Sequence, residues 1–298
     1  MMETQPQVNM NMAQKIAKIS QMKTAFPAYR EILDFFEPVL RERMRYKSKM
    51  LKTIARPVIN DAGVFDKLQN GVPLIDKSGM QFDEKIMAAH LRALLGILHS
   101  RTHEVADCVA DILKKEHYTM FANTSETHHA PASMIRTGSW DILDFLTKEI
   151  LNPVLEIYAE SYHPLLSKAG WENGYCPMCG EPPMMALIAG ENGKRFLICG
   201  ACATRWPFPR TVCPFCGNDD QRQLSYLFME NDNKYRIEVC DVCRQYLKAV
   251  DLGDMSLPVD IEVENIITLH LDMIAMETGY THPIYAGVPE HRRGESLH

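Results

Sequence analysis

The sequence predicts an α+β fold: a helical N-terminal domain, two small rubredoxin- or zinc-ribbon-like modules with four cysteines each, and a C-terminal helix. Three observations carry this prediction. Apolar residues recur at helical spacing through the first 170 residues, eight of the nine cysteines fall within residues 176–243, and helical spacing returns after residue 259. The predicted units are residues 1–170 for the helical domain, 171–207 and 208–256 for the two ribbons, and 257–298 for the closing helix and a tail.

Composition excludes several classes of protein. Hydrophobic residues make up 46% and charged residues 23% of the 298 residues, as in an ordinary soluble globular protein. The net charge of −6 argues against a dedicated nucleic-acid binder. No apolar run reaches the roughly 18–20 residues of a membrane-spanning helix, and the N-terminus lacks the pattern of a secretory signal. We therefore expect a cytoplasmic protein with no membrane and no nucleic-acid partner. In that compartment we expect the cysteines to be metal ligands and not to form disulfides.

The N-terminal helices follow from apolar stripes that need partners, which favours a helical bundle. Residues 1–12 are polar and predict a frayed start. Helices are predicted near residues 25–50, 83–100, 103–117 and 139–167, with Pro153 expected to kink or split the last of them. Cys108 would lie buried on the third helix, and residues 118–138 predict a long loop. A closing helix is predicted over 259–280, and a loose tail over 284–298.

Four Cys-x-x-Cys pairs carry the chemistry. Two thiolates separated by two residues can face one ion when the chain forms a tight turn, a knuckle, whose backbone N–H groups point at the sulfurs. Pairing the knuckles in chain order gives two sites of four ligands each. The predicted metal ligands are Cys176, Cys179, Cys199 and Cys202 in the first site, and Cys213, Cys216, Cys240 and Cys243 in the second.

Each predicted site joins the two ends of a β-hairpin. In the first module, strands are predicted over residues 184–189 and 195–198 around a turn at 190–193. In the second, strands over 224–229 and 235–239 flank a turn at 230–233, and apolar and polar residues alternate along the strand 235–239. The chain thus contains an internal repeat of knuckle, hairpin and knuckle.

Four sulfurs per site suit one divalent ion each, either zinc or a single rubredoxin-type iron, and the spacing does not separate the two metals. A closed four-thiolate site leaves no coordination position for a substrate, and we find no nucleophilic triad, P-loop or dinucleotide-binding fingerprint. No catalytic and no other cofactor-binding residue is predicted. Nine basic and nine acidic residues within 171–250 disfavour a ribbon that grips phosphates. A redox-active thiol pair or redox-active iron stays an alternative.

The cysteine-bearing stretches resemble the formate dehydrogenase accessory protein FdhE. They are YCPMCGEPP at 175–183, RFLICGAC at 195–202 with Trp206 after it, RTVCPFCG at 210–217 and EVCDVCRQYLK at 238–248. The closing helix, with IITLHLD at 266–272 and ETGY at 277–280, is also similar. Two departures stand out. Arg244 occupies a position where the family favours glycine, so we expect a strained turn, and Glu264 and Asn265 stand where the family tends to have two aspartates.

The resemblance implies a function. Members of this family are cytoplasmic assembly factors that bind the catalytic subunit of a respiratory, molybdenum- or tungsten-containing formate dehydrogenase before its export by the twin-arginine route. They are needed for active enzyme and are not formate oxidisers themselves, and rubredoxin-type iron is discussed for them. The resemblance leaves open whether the protein forms a homodimer. The alternatives from other classes are a redox-active rubredoxin-like accessory protein and a zinc-ribbon protein that docks on nucleic acid or the transcription machinery.

Overall fold

The computed structural model describes residues 10–55, 61–100, 139–166, 170–190, 192–229, 234–253 and 259–285. Within these ranges it contains seven α-helices and one six-stranded sheet, which confirms the predicted α+β class. The helices are α1 (Met12–Ala25), α2 (Arg30–Met50), α3 (Asp61–Gln69), α4 (Glu84–His99), α5 (Ser139–Leu166), α6 (Ile261–Ile267) and α7 (Leu269–Glu277). The predicted helix at 103–117 with Cys108, the loop at 118–138, the turn at 230–233 and most of the tail lie outside the described residues.

The N-terminal helices agree with the apolar stripes at α2, α4 and α5, whereas α1 and α3 were not predicted. Helix α1 begins with a capping box, because the Asn11 side chain accepts from the Gln14 N–H and the Gln14 side chain accepts from the Asn11 N–H. Helix α5 runs unbroken from Ser139 to Leu166 with Pro153 inside it, so this proline does not split the helix.

The two predicted ribbons form one continuous sheet with the order β3-β2-β1-β6-β5-β4. The strands are β1 (Pro183–Ala189), β2 (Lys194–Cys199), β3 (Arg205–Pro207), β4 (Leu224–Leu227), β5 (Tyr235–Cys240) and β6 (Gln245–Asp251). The hairpins β1–β2 and β4–β5 were predicted. The third strand of each module, β3 in the first and β6 in the second, was not predicted. The parallel pairing of β1 with β6, for example Met185 with Lys248, joins the two modules.

Both faces of the central strands of the sheet are buried by helices. Successive strand residues point to opposite faces, so Ala186 and Leu197 enter one core with residues of α4 and α5 such as Leu91. Met185 and Ile198 enter the other core, which α1, α2, α6 and α7 complete. The sheet is therefore the middle layer between two sets of helices, which explains why the central strand β1 is wholly apolar.

The C-terminal helical segment is two helices where one was predicted. Thr268, at φ −112° and ψ 19°, separates α6 from α7. The ammonium group of the buried Lys248 on β6 lies at the break, where it donates to the Asn265 carbonyl at 3.1 Å and to the Asp272 carboxylate at 2.6 Å. A buried lysine needs such partners, so the break in the helix and the lysine in the middle strand belong to one arrangement.

Candidate metal centres

The eight described cysteines form two groups of four, as the chain-order pairing predicts. The groups are Cys176, Cys179, Cys199 and Cys202, and Cys213, Cys216, Cys240 and Cys243. Within each group the sulfurs all lie within 4.8 Å of one another, and all eight thiols are free of disulfides. Each group could hold a metal ion.

All four knuckles have the same backbone geometry. The residue after the second cysteine takes a left-handed conformation in each of them: Gly180, Ala203, Gly217 and Arg244, with φ of 79°, 55°, 74° and 55°. Its N–H donates to the carbonyl of the first cysteine, for example from Gly180 to Cys176 at 2.9 Å. The left-handed turn folds the chain back so that both sulfurs of a pair face the same point. Arg244 thus has the left-handed conformation that we expected to strain its turn.

Backbone N–H groups point at the sulfurs, as the knuckle model predicts. In the first group, Met178 donates to the Cys176 Sγ at 3.4 Å and Ala201 donates to the Cys199 Sγ at 3.4 Å. Such donors stabilise thiolates, because they offset negative charge on the ligands.

The first group is buried in the core between the sheet and the helical domain. All four of its cysteines are buried, and the segment after α3 is hydrogen-bonded to the first knuckle. There Leu74 donates to the Pro177 carbonyl at 3.0 Å and Ile75 donates to the Met178 carbonyl at 2.8 Å. Helix α5 reaches the second knuckle, where the Asn152 amide donates to the Gly200 carbonyl at 3.3 Å. This group fastens the sheet to the helical domain.

The second group lies nearer the surface. Cys213 and Cys240 are buried, but Cys243 is half-buried and Cys216 is exposed. Its last knuckle is held by the C-terminal segment, since Thr281 donates to the Arg244 carbonyl at 2.9 Å and accepts from the Tyr246 N–H at 3.0 Å. The two groups therefore differ in how easily solvent reaches them.

The electrostatics of both groups favour a bound cation. Burial raises the pKa of the Cys176, Cys199 and Cys202 thiols well above the ordinary value. Burial likewise raises the pKa of Cys213, to about 11. Hydrogen bonds from neighbouring thiols instead lower the pKa of Cys179, but several thiolates packed together without a cation remain costly. A divalent ion would remove this cost by binding the thiolates directly and releasing their protons.

The distances fit a tetrahedral ion. Four sulfurs about 2.3 Å from a zinc ion lie about 3.8 Å apart. The Cys179 and Cys199 sulfurs are 3.4 Å apart, and the Cys216 and Cys240 sulfurs are 3.7 Å apart. Soft thiolate ligands in this geometry suit zinc and iron alike, so the donor set fits the predicted ions without distinguishing them.

Sequence patterns did not predict the close contact between the two centres. Gly174, just before the first knuckle, lies against the third knuckle at Pro214. A side chain at position 174 would collide with the Pro214 backbone, because its Cβ would lie 2.8 Å from the Pro214 Cα. The contact brings the entry to the first module against the second centre.

The position that departs from the family's acidic pair is structural. Glu264 is fully buried on α6, where its carboxylate pairs with Lys18 of α1 and accepts from the Tyr235 hydroxyl of β5. Desolvation opposes its ionisation, but Lys18, Lys234 and Tyr235 keep its pKa below the usual value. Glu264 thus ties the first helix of the chain to the closing helices and the sheet.

In the ranges that the structure describes, no helix is long and apolar enough to cross a membrane.

Comparison with known proteins supports the resemblance seen in the sequence. The family model "FdhE, central domain" matches residues 175–210, which hold the first centre. The chain is 27% identical over 273 residues to the FdhE homolog of Aquifex aeolicus, with 88% of this chain and 90% of that protein covered. It is 35% identical over 114 residues to the FdhE homolog of Pseudomonas aeruginosa, with 35% and 36% covered. The alignment with the second relative thus spans about a third of either protein.

A solved structure shares the fold. The crystal structure of the FdhE protein from Pseudomonas aeruginosa matches with a TM-score of 0.60 and 21% identity, over 93% of this chain and 96% of that chain. The likeness extends across both the helical domain and the sheet.

Proposed function

With its resemblance to FdhE proteins confirmed, we propose that this chain is a non-catalytic accessory protein of formate dehydrogenase. It acts in the cytoplasm, binds the catalytic subunit of a molybdenum- or tungsten-containing formate dehydrogenase, and is required for that subunit to mature to active enzyme. Each cysteine group holds one divalent ion, zinc or iron, through its four thiolates.

The observation that carries this proposal is the placement of the first centre. Four thiols fill a tetrahedral set, so a bound ion would have no open position for a substrate, which is typical of structural and not of catalytic metal sites. The centre is buried between the sheet and the helical domain. An ion there would fix the relative position of the two parts and produce a rigid surface for recognition, which suits a binding protein.

The proposal is tested by isolating the tagged chain without oxygen from cells that express its formate dehydrogenase. We expect the catalytic subunit to co-purify, and deletion of the gene to leave that subunit inactive. A matched pair of variants separates the roles of the centres: Cys176→Ser with Cys179→Ser removes half of the first centre, and Cys213→Ser with Cys216→Ser removes half of the second. If the first pair of changes leaves both the fold and co-purification intact, the rigid-platform account fails.

A second candidate is electron transfer through the second centre, and the exposure of Cys216 favours it. This function requires iron, because zinc has no redox chemistry under these conditions. It predicts visible absorbance that bleaches when a reductant is added. A colourless protein that carries zinc in both centres would remove this candidate.

A further inference from the structure

Strand β4 forms one end of the sheet and has an open edge. It pairs with β5 on one side, and no strand of the described ranges pairs with it on the other. In an antiparallel ladder, alternate residues direct their N–H and C=O groups away from the partner strand. The Gln223 carbonyl accepts from the Asp241 N–H at 2.9 Å, so the N–H and C=O of Tyr226 and the C=O of Leu224 face the open edge. The Leu224 N–H donates to the Gln221 carbonyl instead. Such an edge can accept another strand.

Apolar side chains are exposed along this edge. The rings of Tyr226 and Phe228 lie 6.1 Å apart, and Met229 follows them. Phe228 is 64% exposed, the highest value of any large apolar side chain in the described part of the chain. The knuckle residue Val242 adds a fourth exposed apolar group on the same module. A cluster of this kind is typical of an interaction site.

A small, open cleft of about 30 Å³ lies beside β4. Tyr226 and Phe215 contribute aromatic walls, and Arg195 and Glu238 contribute charged groups. The cleft also reaches the second centre at Cys213.

Positive charge dominates the part of the cleft away from the sulfurs. The Glu238 carboxylate forms ion pairs with two guanidinium groups, that of Arg195 at 2.5 Å and that of Arg236 at 3.4 Å. Arg236 also lies 4.0 Å from the Asp251 carboxylate. Arg210 also lines the cleft, is exposed, and has no ion pair among the residues described. The buried Arg195 guanidinium is already engaged, since it pairs with Glu238 and donates to the Pro209 and Val212 carbonyls at 2.9 and 3.0 Å.

We propose that the β4 edge and its cleft bind an extended segment of the partner polypeptide that carries apolar side chains beside an acidic one. The segment adds to the sheet as a seventh strand, packs on Tyr226 and Phe228, and places its carboxylate near Arg210. This inference rests on the proposed function, and it names the surface through which the catalytic subunit is bound.

Each part of the surface selects for this occupant. Unpaired backbone donors and acceptors require a partner that offers the same groups in alternation, which an extended polypeptide does. The exposed aromatic rings favour apolar side chains, and the exposed guanidinium group of Arg210 favours a carboxylate, with which arginine forms paired hydrogen bonds. A bound divalent ion would leave the four thiolates net negative, so the acidic side chain belongs at the arginines and not at the sulfurs.

Binding measurements on the full chain test the proposal, with the purified catalytic subunit as the probe. Phe228→Asp introduces a charge on the apolar edge, and Arg210→Glu reverses a charge of the cleft. Each change should weaken binding by about tenfold or more, as for central interface residues. The matched controls are Met273→Asp on α7, which is 59% exposed, and Arg45→Glu on α2, whose side chain is 66% exposed. Both controls should stay within about twofold of wild type.

The possible outcomes separate the two proposals. If the wild-type chain does not bind the catalytic subunit, the proposed function fails and this inference falls with it. If the wild type binds and either Phe228→Asp or Arg210→Glu binds equally well, only the docking surface is overturned. Thermal unfolding of each variant distinguishes a loss of binding from a loss of folding.

Cross-linking identifies the occupant directly. A photoreactive amino acid at position 228 should cross-link to a segment of the catalytic subunit that contains acidic and apolar residues. Cross-links only to a second copy of this chain, or to segments of the subunit without acidic residues, would overturn the assignment.

Discussion

The guanidinium group of Arg244 lies over the ring of Tyr280, with its Cζ 4.0 Å from the ring centroid. Arg244 ends the last knuckle of the second centre, and Tyr280 follows the last helix. The same guanidinium donates to the Thr278 carbonyl at 3.2 Å and pairs with Asp241 at 2.7 Å. The arginine therefore fastens the second centre to the C-terminal helices, although its backbone takes a conformation that glycine adopts more easily.

Replacing Arg244 separates its two effects. Arg244→Gly relieves a left-handed backbone cost of about 1 kcal/mol. It loses a cation–π contact of about 0.5–1 kcal/mol, the hydrogen bond to Thr278 of about 0.5–1.5 kcal/mol and the exposed ion pair with Asp241, so the free energy of unfolding should fall by about 1 kcal/mol. Arg244→Ala loses the contact and keeps the strain, so it should be less stable than Arg244→Gly by about 1 kcal/mol. Urea unfolding of the metal-loaded chain measures the order.

Ala203 provides the control for this comparison. It holds the equivalent position in the first centre with φ 55° and makes no cation–π contact, so Ala203→Gly isolates the backbone cost. An Arg244→Ala variant at least as stable as Arg244→Gly would show that the strain does not matter.

The two centres should lose their metal at different rates. Cys216 is exposed, whereas all four thiols of the first centre are buried, so a chelator should remove one ion quickly and the other only as the chain unfolds locally. Release is followed with a chromogenic chelator under anaerobic conditions. The variant Cys216→Ser should lack the fast phase and keep the slow one. Release of both ions in a single phase from the wild type would contradict the assignment.

A methyl group at position 174 should disturb the contact between the modules. Gly174→Ala places a Cβ against the Pro214 backbone, and overpacking of this kind costs about 1–3 kcal/mol. We expect a lower midpoint of thermal unfolding and faster metal release from the second centre. The control is Gly79→Ala, because a Cβ at position 79 would meet no atom within 4 Å. Gly253 also has open space around it, but its positive φ makes it a poorer control. An unchanged midpoint for Gly174→Ala would refute the close approach.

Glu264 should make stability depend on pH. Its folded-state pKa is lowered from 4.5, so its contribution is fully present above pH 4.5 and is lost as the pH falls through the lower folded-state value. Glu264→Gln should therefore destabilise the chain at pH 7, by about 1–3 kcal/mol, and the difference from wild type should shrink below pH 4.5. Urea unfolding curves of the wild type and Glu264→Gln at pH 7 and pH 4 measure this difference. Loss of metal in acid affects both proteins alike, so it cancels in the comparison. A difference that is the same at both pH values would exclude the ionised carboxylate as its cause.

The patterns that predicted structure are local, because they depend on residues that are close to one another in the sequence. The Cys-x-x-Cys spacing predicted the two groups of four, because the knuckle is set by a few adjacent residues. Alternation of apolar and polar residues predicted β5, whose hydrophobic face is buried by α6 and α7. Apolar stripes likewise predicted α2, α4 and α5.

What the sequence did not predict depends on distant partners. Strand β6 was missed because Lys248 interrupts its apolar pattern, and only the carbonyl of Asn265 and the carboxylate of Asp272 make a buried lysine acceptable there. Helix α1 has a weak apolar stripe, and its charged residues pair with α6, as Lys18 does with Glu264. The fusion of two ribbons into one sheet depends on the pairing of β1 with β6, which joins strands from different modules and leaves no local signal.

The measurement that tests the account most directly is X-ray absorption at the metal edge, on anaerobically isolated protein of known metal content. We predict two ions per chain, each surrounded by a single shell of four sulfurs at about 2.3 Å, with no neighbouring metal atom. Fewer sulfurs per ion, a metal–metal distance typical of a cluster, or a metal-free protein with disulfides would contradict the two separate four-thiolate centres.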